Sequence, residues 1–280
     1  KNIENLIGGG GGDTLGGDGL SNRLDGGLGN DTLIGGAGAD ALIGGGGTDT
    51  AYYYGSAVGV TVNLLAGTGV GGDAQGDTLS GIEQVIGSNI GGDTLTGDSG
   101  VNYLAGFGGD DTMDGGEAFD SLSGGAGIDT VAYGSATTGV QVILDFYASN
   151  TGVSWDGTSG DLIVDFENIM GSAQRDILSG DAGANVINGG LGNDTLFGKG
   201  GADTFRFTTP NFGYDVIADF VDGIDKLSFS TNVATSINDF TIYGNGSTIM
   251  SVVYNADPTQ VAVVIGSAPI TLTASDFVFV

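Results

Sequence analysis

The sequence predicts an all-β fold in which short strands stack in successive coils. Three observations lead to this prediction. Glycine supplies 58 of the 280 residues, most acidic residues are aspartate, and an apolar residue returns at every ninth position in three tracts. A disordered linker has no reason to keep an apolar residue in register, so a repeated, folded core is favoured over low-complexity disorder.

Fourteen nonapeptides in three blocks approximate the form GGxGxD followed by three strand residues. In "GGLGNDTLI" (26–34), the glycines supply the positive φ angles of a turn, Asp31 ends the turn and Leu33 points inward. Two nonapeptides complete one coil, so sixth-position residues two repeats apart stack on one edge. These residues are Asp13, Asn22, Asp31, Asp40, Asp49, Asp93, Asn102, Asp111, Asp120, Asp129, Asp176, Asn185, Asp194 and Asp203.

Such a stack of aspartates requires a cation. Carboxylates one strand spacing apart, about 4.8 Å, repel each other, and the repulsion is stronger in a protein than in water. Ca²⁺ is the expected ion because it takes about six to eight oxygen ligands, including carboxylates and main-chain carbonyls. Zn²⁺ would prefer the His and Cys that the sequence lacks, and Mg²⁺ requires stricter octahedral geometry.

The series of motifs closely resembles the RTX (repeat-in-toxin) calcium-binding family, whose repeat is G-G-x-G-x-D-x-U-x. The resemblance implies a parallel β-roll, a right-handed solenoid with Ca²⁺ between turns two repeats apart. Each site would use two sixth-position side chains, the second and fourth carbonyls of the earlier turn, and the first and third of the later turn. The eight implied side-chain pairs are Asp13–Asp31, Asn22–Asp40, Asp31–Asp49, Asp93–Asp111, Asn102–Asp120, Asp111–Asp129, Asp176–Asp194 and Asn185–Asp203. The implied carbonyl ligands include Gly9, Gly11, Gly26, Gly27, Leu28, Gly29, Gly35, Ala37, Gly44, Gly46, Gly106, Gly108, Gly109, Gly115, Glu117, Gly124, Ala126, Gly183, Gly189, Leu191, Gly198 and Gly200.

The second nonapeptide of each block departs from this pattern. It carries Asp at its second position and Asn at its sixth, at Asn22, Asn102 and Asn185. Asn offers an oxygen but no charge. We therefore expect the three sites that contain Asn to be weaker, unless the second-position aspartate reaches the ion.

A longer period divides the chain into blocks and spacers. The strand-like runs "GVTVNL" (59–64) and "GVQVIL" (139–144) follow the first two blocks at the same offset. The predicted organisation is three roll blocks over 1–52, 87–132 and 171–206, β spacers over 53–86 and 133–170, and a C-terminal β cap with secretion signal over 207–280.

After Phe205 the nonapeptides give way to longer apolar runs that predict an antiparallel cap. These runs are "YDVIADF" (214–220), "DKLSFS" (225–230), "TIMSVVY" (248–254) and "QVAVVIG" (260–266). The region resembles the segment that follows the roll in serralysin-like secreted proteins, and "SDFVFV" (275–280) resembles their type I secretion signal. The resemblance implies export to the extracellular space or cell surface by a C-terminal signal, without an N-terminal signal peptide.

Composition excludes several functions. A net charge of −28 with only six basic residues disfavours nucleic acid as a partner, and no apolar run is long enough to enter a membrane. The lack of His and Cys removes Ser-His-Asp, Cys-His and HExxH chemistry, so we assign no catalytic residue and predict no enzyme activity. Tyr52–Tyr54 and Trp155 have rings that stack on sugars, but covering an edge is the favoured interpretation and carbohydrate binding is not expected.

Two functions remain open. In the first, the chain is a calcium-binding module that folds after passage through the type I secretion machinery and stabilises a larger exported protein, with further protein upstream. In the second, it is a self-assembling, calcium-dependent surface-layer, matrix or filament/adhesin subunit, in which the apolar spacers join copies of the chain.

Overall fold

The computed structural model describes residues 4–144, 151–155 and 160–280. Their secondary structure is almost entirely β, and three 3₁₀ turns lie at Gly72–Ala74, Ile237–Asp239 and Ala274–Asp276. Within these ranges no helix has the length and apolar character needed to span a membrane. The described residues pack as two units, one within Lys1–Val131 and Asp161–Phe166, the other within Ala132–Gly160 and Glu167–Val280.

The strands are short, and most contain three residues. In the first half of the chain they are β1 (Asn5–Gly9), β2 (Thr14–Gly16), β3 (Arg23–Leu28), β4 (Thr32–Ile34), β5 (Ala41–Gly46), β6 (Thr50–Tyr52), β7 (Thr61–Asn63), β8 (Thr68–Val70), β9 (Thr78–Ser80), β10 (Gln84–Ile86), β11 (Thr94–Thr96), β12 (Tyr103–Gly108), β13 (Thr112–Asp114), β14 (Ser121–Ala126) and β15 (Thr130–Ala132). In the second half they are β16 (Gln141–Ile143), β17 (Thr151–Trp155), β18 (Leu162–Val164), β19 (Asn168–Met170), β20 (Ile177–Ser179), β21 (Val186–Asn188), β22 (Thr195–Phe197), β23 (Thr204–Phe207), β24 (Tyr214–Ile217), β25 (Lys226–Phe229), β26 (Phe240–Tyr243), β27 (Ile249–Tyr254), β28 (Val261–Ile265) and β29 (Phe277–Phe279).

The first unit is a parallel β-roll, as predicted. Within each repeat block, successive strands alternate between two sheets, so each strand pairs with the one two places along the chain. Leu24 of β3 lies opposite Leu42 of β5, and the strands are parallel. The second residue of each nonapeptide strand points inward, and Leu24, Leu33 and Leu42 are fully buried. The apolar residue of every ninth position therefore forms the thin core, and the strands of the nonapeptides, from β2 to β6, each begin immediately after a sixth-position residue.

The spacer of the first unit joins the roll rather than interrupting it. The β8 strand pairs antiparallel with both β7 and β9. The β7 strand then pairs in parallel with β11, which places Val62 opposite Leu95. Because Val62 is fully buried, the first two blocks share one continuous core.

In the second unit, only part of the predicted antiparallel cap is antiparallel. The runs at 214–220 and 225–230 form β24 and β25, which pair in parallel with β22 and β23. Within the predicted cap, 207–280, antiparallel pairing is confined to β26, β27 and β28. The prediction was wrong for the first two runs because Ile217 and Leu227 keep the inward register of the roll, so both strands continue it.

The C-terminal residues are part of the packed second unit. The last strand, β29, pairs in parallel with β25. The Phe277 ring is buried, with its centroid 6.2 Å from that of Phe229. Phe229 also stacks on Phe207 at 4.8 Å and meets Phe240 at 4.4 Å. An aromatic core therefore replaces the single file of Leu side chains at this end.

Candidate metal centre

The turns that precede the strands adopt a conformation that requires glycine. Gly27 has φ 97° and Gly29 has φ 118°, at the second and fourth positions of one turn. L-residues rarely adopt such angles. Phe107, Ala118 and Lys199 occupy equivalent positions in other turns and are held at φ 73°, 80° and 73°. The stacking of turns thus imposes the conformation even where the sequence disfavours it.

In each predicted pair, the later side chain accepts a hydrogen bond from the backbone of the turn one coil earlier. The backbone N–H of Asp13 donates to Asp31 Oδ1 at 2.7 Å, and that of Asp31 donates to Asp49 Oδ1 at 2.7 Å. All eight predicted pairs are brought together in this way, at 2.6–3.0 Å. The other pairs are Asn22–Asp40, Asp93–Asp111, Asn102–Asp120, Asp111–Asp129, Asp176–Asp194 and Asn185–Asp203. We call this arrangement the aspartate ladder.

The second carboxylate oxygen of many ladder residues is buried and has no hydrogen bond. Each of these residues is at most 2% exposed. Burying a charged oxygen without a partner is costly, since the lost hydration is not replaced. A cation is the partner that an acceptor-only carboxylate lacks, so these atoms fit a metal ion. They are the Oδ2 atoms of Asp31, Asp40, Asp49, Asp111, Asp120 and Asp194.

The pKa values of the ladder residues reflect the same cost. Burial raises the pKa of Asp111 to about 7. The hydrogen bond from the Asp93 backbone lowers this pKa, and repulsion from neighbouring aspartates raises it further. Burial likewise raises the pKa of Asp120 to about 7 and that of Asp194 to about 8. Without a cation, the ionised ladder therefore opposes folding near neutral pH.

Backbone carbonyls line the gaps between stacked turns. A Cβ atom added to Gly27 would lie 2.6 Å from the carbonyl oxygen of Gly9, and one on Gly26 would lie 2.7 Å from that of Gly44. The second-position carbonyl of an earlier turn thus faces the turn of the next coil, and the first-position carbonyl of a later turn faces the turn of the previous coil. Among the described residues, no three His, Cys, Asp or Glu side chains cluster as metal ligands. Two carboxylates and several carbonyls are therefore the donor set that a gap offers, and such all-oxygen sets suit Ca²⁺.

Comparison with known proteins identifies the repeats. The RTX calcium-binding nonapeptide repeat matches four segments, at residues 16–51, 88–122, 115–132 and 170–205. These segments are RTX calcium-binding repeats. No curated protein sequence matches the chain. Among solved structures, the extracellular lipase LipA from Serratia marcescens is similar at 20% identity, with a TM-score of 0.29 over 74% of this chain and 41% of the lipase chain. The chain thus spans about two fifths of that lipase's length.

The Asn residues of the RTX repeats have a structural role that the sequence did not reveal. Asn185 Oδ1 accepts from the backbone N–H of Asp181 at 2.9 Å, and Asn185 Nδ2 donates to the Glu167 carbonyl at 2.7 Å. Asn102 makes the equivalent pair of bonds, with Asp98 and Glu83. An aspartate has no N–H to donate, so Asn is required where a carbonyl faces the side chain.

The second-position aspartates of these turns bind their own backbone. Asp18 Oδ1 accepts from the N–H of Leu20 at 2.9 Å, and Asp98 and Asp181 make the same two-residue turn. These carboxylates therefore shape the turn, and Asp181 Oδ1 also accepts a hydrogen bond from Nδ2 of the ladder residue Asn185 at 3.1 Å. The lower affinity expected of the three Asn-containing sites stays a prediction.

The aspartate ladder also contains residues outside the RTX repeats. Asp77 Oδ1 accepts from the backbone N–H of Asp40 at 2.8 Å, and Glu83 Oε2 accepts from that of Asp49 at 2.8 Å. The same bond links Asp161 to Asp120, Asp215 to Asp194 and Asp225 to Asp203. Sequence reasoning missed these five positions because their turns keep too little of the GGxGxD pattern. The remaining signal is a Gly two residues before Asp in "GYD" (213–215) and "GID" (223–225).

The aromatic residues considered for sugar binding form an exposed cluster. The ring centroids of Tyr52 and Tyr54 are 6.0 Å apart, and Tyr54 meets Phe107 edge-on at 5.1 Å. Tyr54 and Phe107 are 37% and 43% exposed. The side chain of Trp155 lies outside the described residues. The expectation that carbohydrate is not a partner stays a prediction.

Proposed function

We propose that the chain is a calcium-dependent folding module that passes through the type I secretion machinery unfolded, folds outside the cell and stabilises a larger extracellular protein. The single observation that carries the proposal is the aspartate ladder, with its buried, unpartnered Oδ2 atoms. A chain that holds these groups ionised is stable only where a divalent cation is abundant.

The proposed ligands are the eight side-chain pairs of the ladder together with the turn carbonyls. Eight Ca²⁺ would change the net charge from −28 to −12, which relieves much of the self-repulsion. At ten times the Kd, each independent site contributes about 1.4 kcal/mol, so eight contribute roughly 11 kcal/mol. That is comparable to the stability of a whole domain, about 5–15 kcal/mol. Calcium binding and folding are then one event.

The export role follows from calcium concentration. Extracellular calcium modules have Kd values of about 10⁻⁴–10⁻³ M, so such sites stay empty in a cytosol and fill outside. The ending "SDFVFV" (275–280) also supports the proposal, because it is accessible to the exporter while the chain is unfolded. Folding then buries Phe277 against Phe229 and pairs β29 with β25, so the segment is no longer an accessible, extended chain end.

Export is tested in cells that carry a type I exporter, with the chain fused to a passenger protein. We expect removal of residues 275–280 to abolish export of the passenger. The matched control is Tyr243→Ser, which alters an exposed side chain of the same unit. Equal export of the truncated and complete chains would contradict the export role.

A second function is favoured by one observation. The spacer between the first two blocks exposes Leu65 by 72% and Val70 by 53% at its hairpin. Exposed apolar groups of this kind suit contacts between copies of the chain in a calcium-dependent assembly. Light scattering distinguishes the two functions: a monomer in Ca²⁺ supports the secretion module, whereas ordered assemblies that a chelator dissolves and Leu65→Gln weakens support the assembly.

A further inference from the structure

The spacer of the first unit adds Asp77 to the aspartate ladder, and none of the eight proposed sites includes this residue. Asp77 Oδ1 accepts from the backbone N–H of Asp40 at 2.8 Å, which is the ladder bond. Both aspartates are 2% exposed. By its place in the stack, Asp77 would share a cation with Asp40, as the sixth-position residues of the repeats are proposed to do.

The second oxygen of Asp77 has a protein partner. The hydroxyl of Tyr53 donates to Asp77 Oδ2 at 2.9 Å, and Tyr53 is also 2% exposed. The corresponding Oδ2 atoms of Asp31, Asp49 and Asp111 have no hydrogen bond. A hydrogen bond to an ionised carboxylate is among the strong ones, so Tyr53 supplies Asp77 with what the repeat aspartates lack.

Burial keeps the Tyr53 hydroxyl protonated. It raises the pKa of Tyr53 above its usual value, and the charge of Asp77 raises it further. The phenol therefore remains a donor at neutral pH. Burial also raises the pKa of Asp77 to about 6, while the hydrogen bonds from Asp40 and Tyr53 lower it. The buried Asp77 charge is thus stabilised by protein groups alone.

The carbonyls of turn 72–77 are arranged differently from those of a repeat turn. The first-position carbonyl, of Gly72, accepts the Gln75 N–H at 3.4 Å. The third-position carbonyl, of Ala74, accepts the Asp77 N–H at 3.1 Å. These are the two carbonyls that a later turn would contribute to a site between repeats, and here they serve the 3₁₀ turn.

Turns 35–40 and 72–77 also stack less closely than two repeat turns. A Cβ atom on Gly26 would lie 2.7 Å from a carbonyl oxygen of the next coil, whereas the three atoms nearest to one on Gly35 all belong to Asp40 of its own turn. A Cβ atom on Gly72 would meet residues of 56–60. The first half of turn 72–77 therefore faces the spacer, and the ladder bond of Asp77 joins the turn to the coil before it.

We propose that the Tyr53 hydroxyl replaces the cation at the gap between turns 35–40 and 72–77, so that this rung of the ladder takes no Ca²⁺. The inference rests on the proposed calcium function and sets where it ends. Tyr53 is a positioning residue, because it orients Asp77, which in turn holds the Asp40 backbone. Since Tyr53 follows β6 and Asp77 precedes β9, their bond closes the spacer without metal, whereas the neighbouring repeats depend on it.

Calcium stoichiometry of the full chain, measured by equilibrium dialysis at saturating Ca²⁺, tests the inference. We expect Asp77→Ala to bind the same number of ions as the wild type. The matched comparison is Asp111→Ala, which removes a buried ladder carboxylate that two proposed sites share, and it should bind fewer ions.

A double-mutant cycle between Tyr53→Phe and Asp77→Ala provides a second measurement. Folding equilibrium constants are measured by urea denaturation in saturating Ca²⁺, and by sulfate-driven folding in EGTA. Tyr53→Phe should lower the constant on the order of tenfold when Asp77 is present, and much less in the Asp77→Ala background, in both conditions. Tyr54→Phe is the control, because it removes the hydroxyl of an exposed neighbour and keeps the ring that meets Phe107.

The outcomes separate the inference from the proposed function. Loss of an ion in Asp77→Ala, or a coupling between Tyr53 and Asp77 that disappears in Ca²⁺, overturns the inference and leaves the proposed function intact. Failure of the wild type to bind any Ca²⁺ overturns both.

Discussion

Replacing Asp111 by Asn should change stability in opposite directions with and without calcium. Asp111 is 1% exposed, its Oδ1 accepts the Asp93 N–H at 2.6 Å, and its Oδ2 has no partner. An amide preserves the accepted hydrogen bond and removes the charge. The substitution therefore isolates the electrostatic role of the carboxylate.

The magnitudes follow from burial and from the number of gaps that Asp111 borders. Burial raises its pKa from 3.8 to about 7. Holding the group ionised above that pH costs roughly 4 kcal/mol, which Asn avoids. With calcium, Asp111 belongs to two proposed sites, each contributing about 1.4 kcal/mol at ten times the Kd. Asn keeps an oxygen but no charge at both sites, so the substitution costs up to about 3 kcal/mol, the value for complete loss of both.

The assay is far-UV circular dichroism. In EGTA, where sodium sulfate drives folding, the variant should fold at a lower sulfate concentration than the wild type. In a calcium titration, the variant should need more Ca²⁺ to fold. The control is Asp110→Asn, because Asp110 is exposed and binds the Ile128 N–H as Asn30 binds that of Thr48. A change of the same sign in both conditions would refute the reasoning.

Three further predictions concern the ladder and its turns. Without calcium, acid should favour folding. The pKa values of Asp203, Asp111 and Asp194 are raised in the folded chain to about 6, 7 and 8. Stability is therefore greatest below pH ~4 and is lost as the pH rises through ~6–8. Circular dichroism in EGTA measures this, and better folding at pH 8 than at pH 4.5 would contradict it. Gly115→Ala should destabilise the calcium-bound protein by about 1–3 kcal/mol, since the new Cβ would lie 2.5 Å from Asp120 Oδ2. Gly10→Ala is the control, because its Cβ would meet nothing within 4 Å. Thermal melts measure both variants, and an equal fall in their melting temperatures would contradict this prediction. Asn185→Asp should also lower the melting temperature, because Asp cannot donate to the Glu167 carbonyl; a higher melting temperature in Ca²⁺ would show that charge outweighs this bond.

The repeats predicted the roll because each local signal agreed with the others. The glycine turn, the sixth-position aspartate and the inward Leu of "GGLGNDTLI" all require one coil geometry, and Leu24 and Leu42 pair as that geometry demands. All eight predicted side-chain pairs are adjacent in the structure. Short-range pattern was sufficient where every coil repeats the one before it.

The pattern failed where the register is kept without the glycines. Asp77, Asp215 and Asp225 enter the ladder although their turns lack most of the motif. Pairing with the preceding coil places them, and that information lies in the neighbouring strand. The parallel direction of β24 and β25 has the same cause. Apolar alternation shows that a strand forms, but not which neighbour it joins.

The donor role of Asn185 was invisible for a different reason. Its sixth position suggested a weakened copy of a ligand, whereas its Nδ2 binds the carbonyl of Glu167, 18 residues earlier. Only a structure shows which backbone atom faces a side chain across a coil. Sequence alone therefore predicted the ladder better than the exceptions within it.

The most direct test of the account is a calcium titration of the full chain at neutral pH, followed by far-UV circular dichroism, with bound calcium measured on the same samples. The account predicts little β structure in EGTA, and a cooperative gain of β structure that rises with the number of ions bound. Full β structure in EGTA, or calcium binding without any gain of β structure, would contradict the claim that calcium binding and folding are one event.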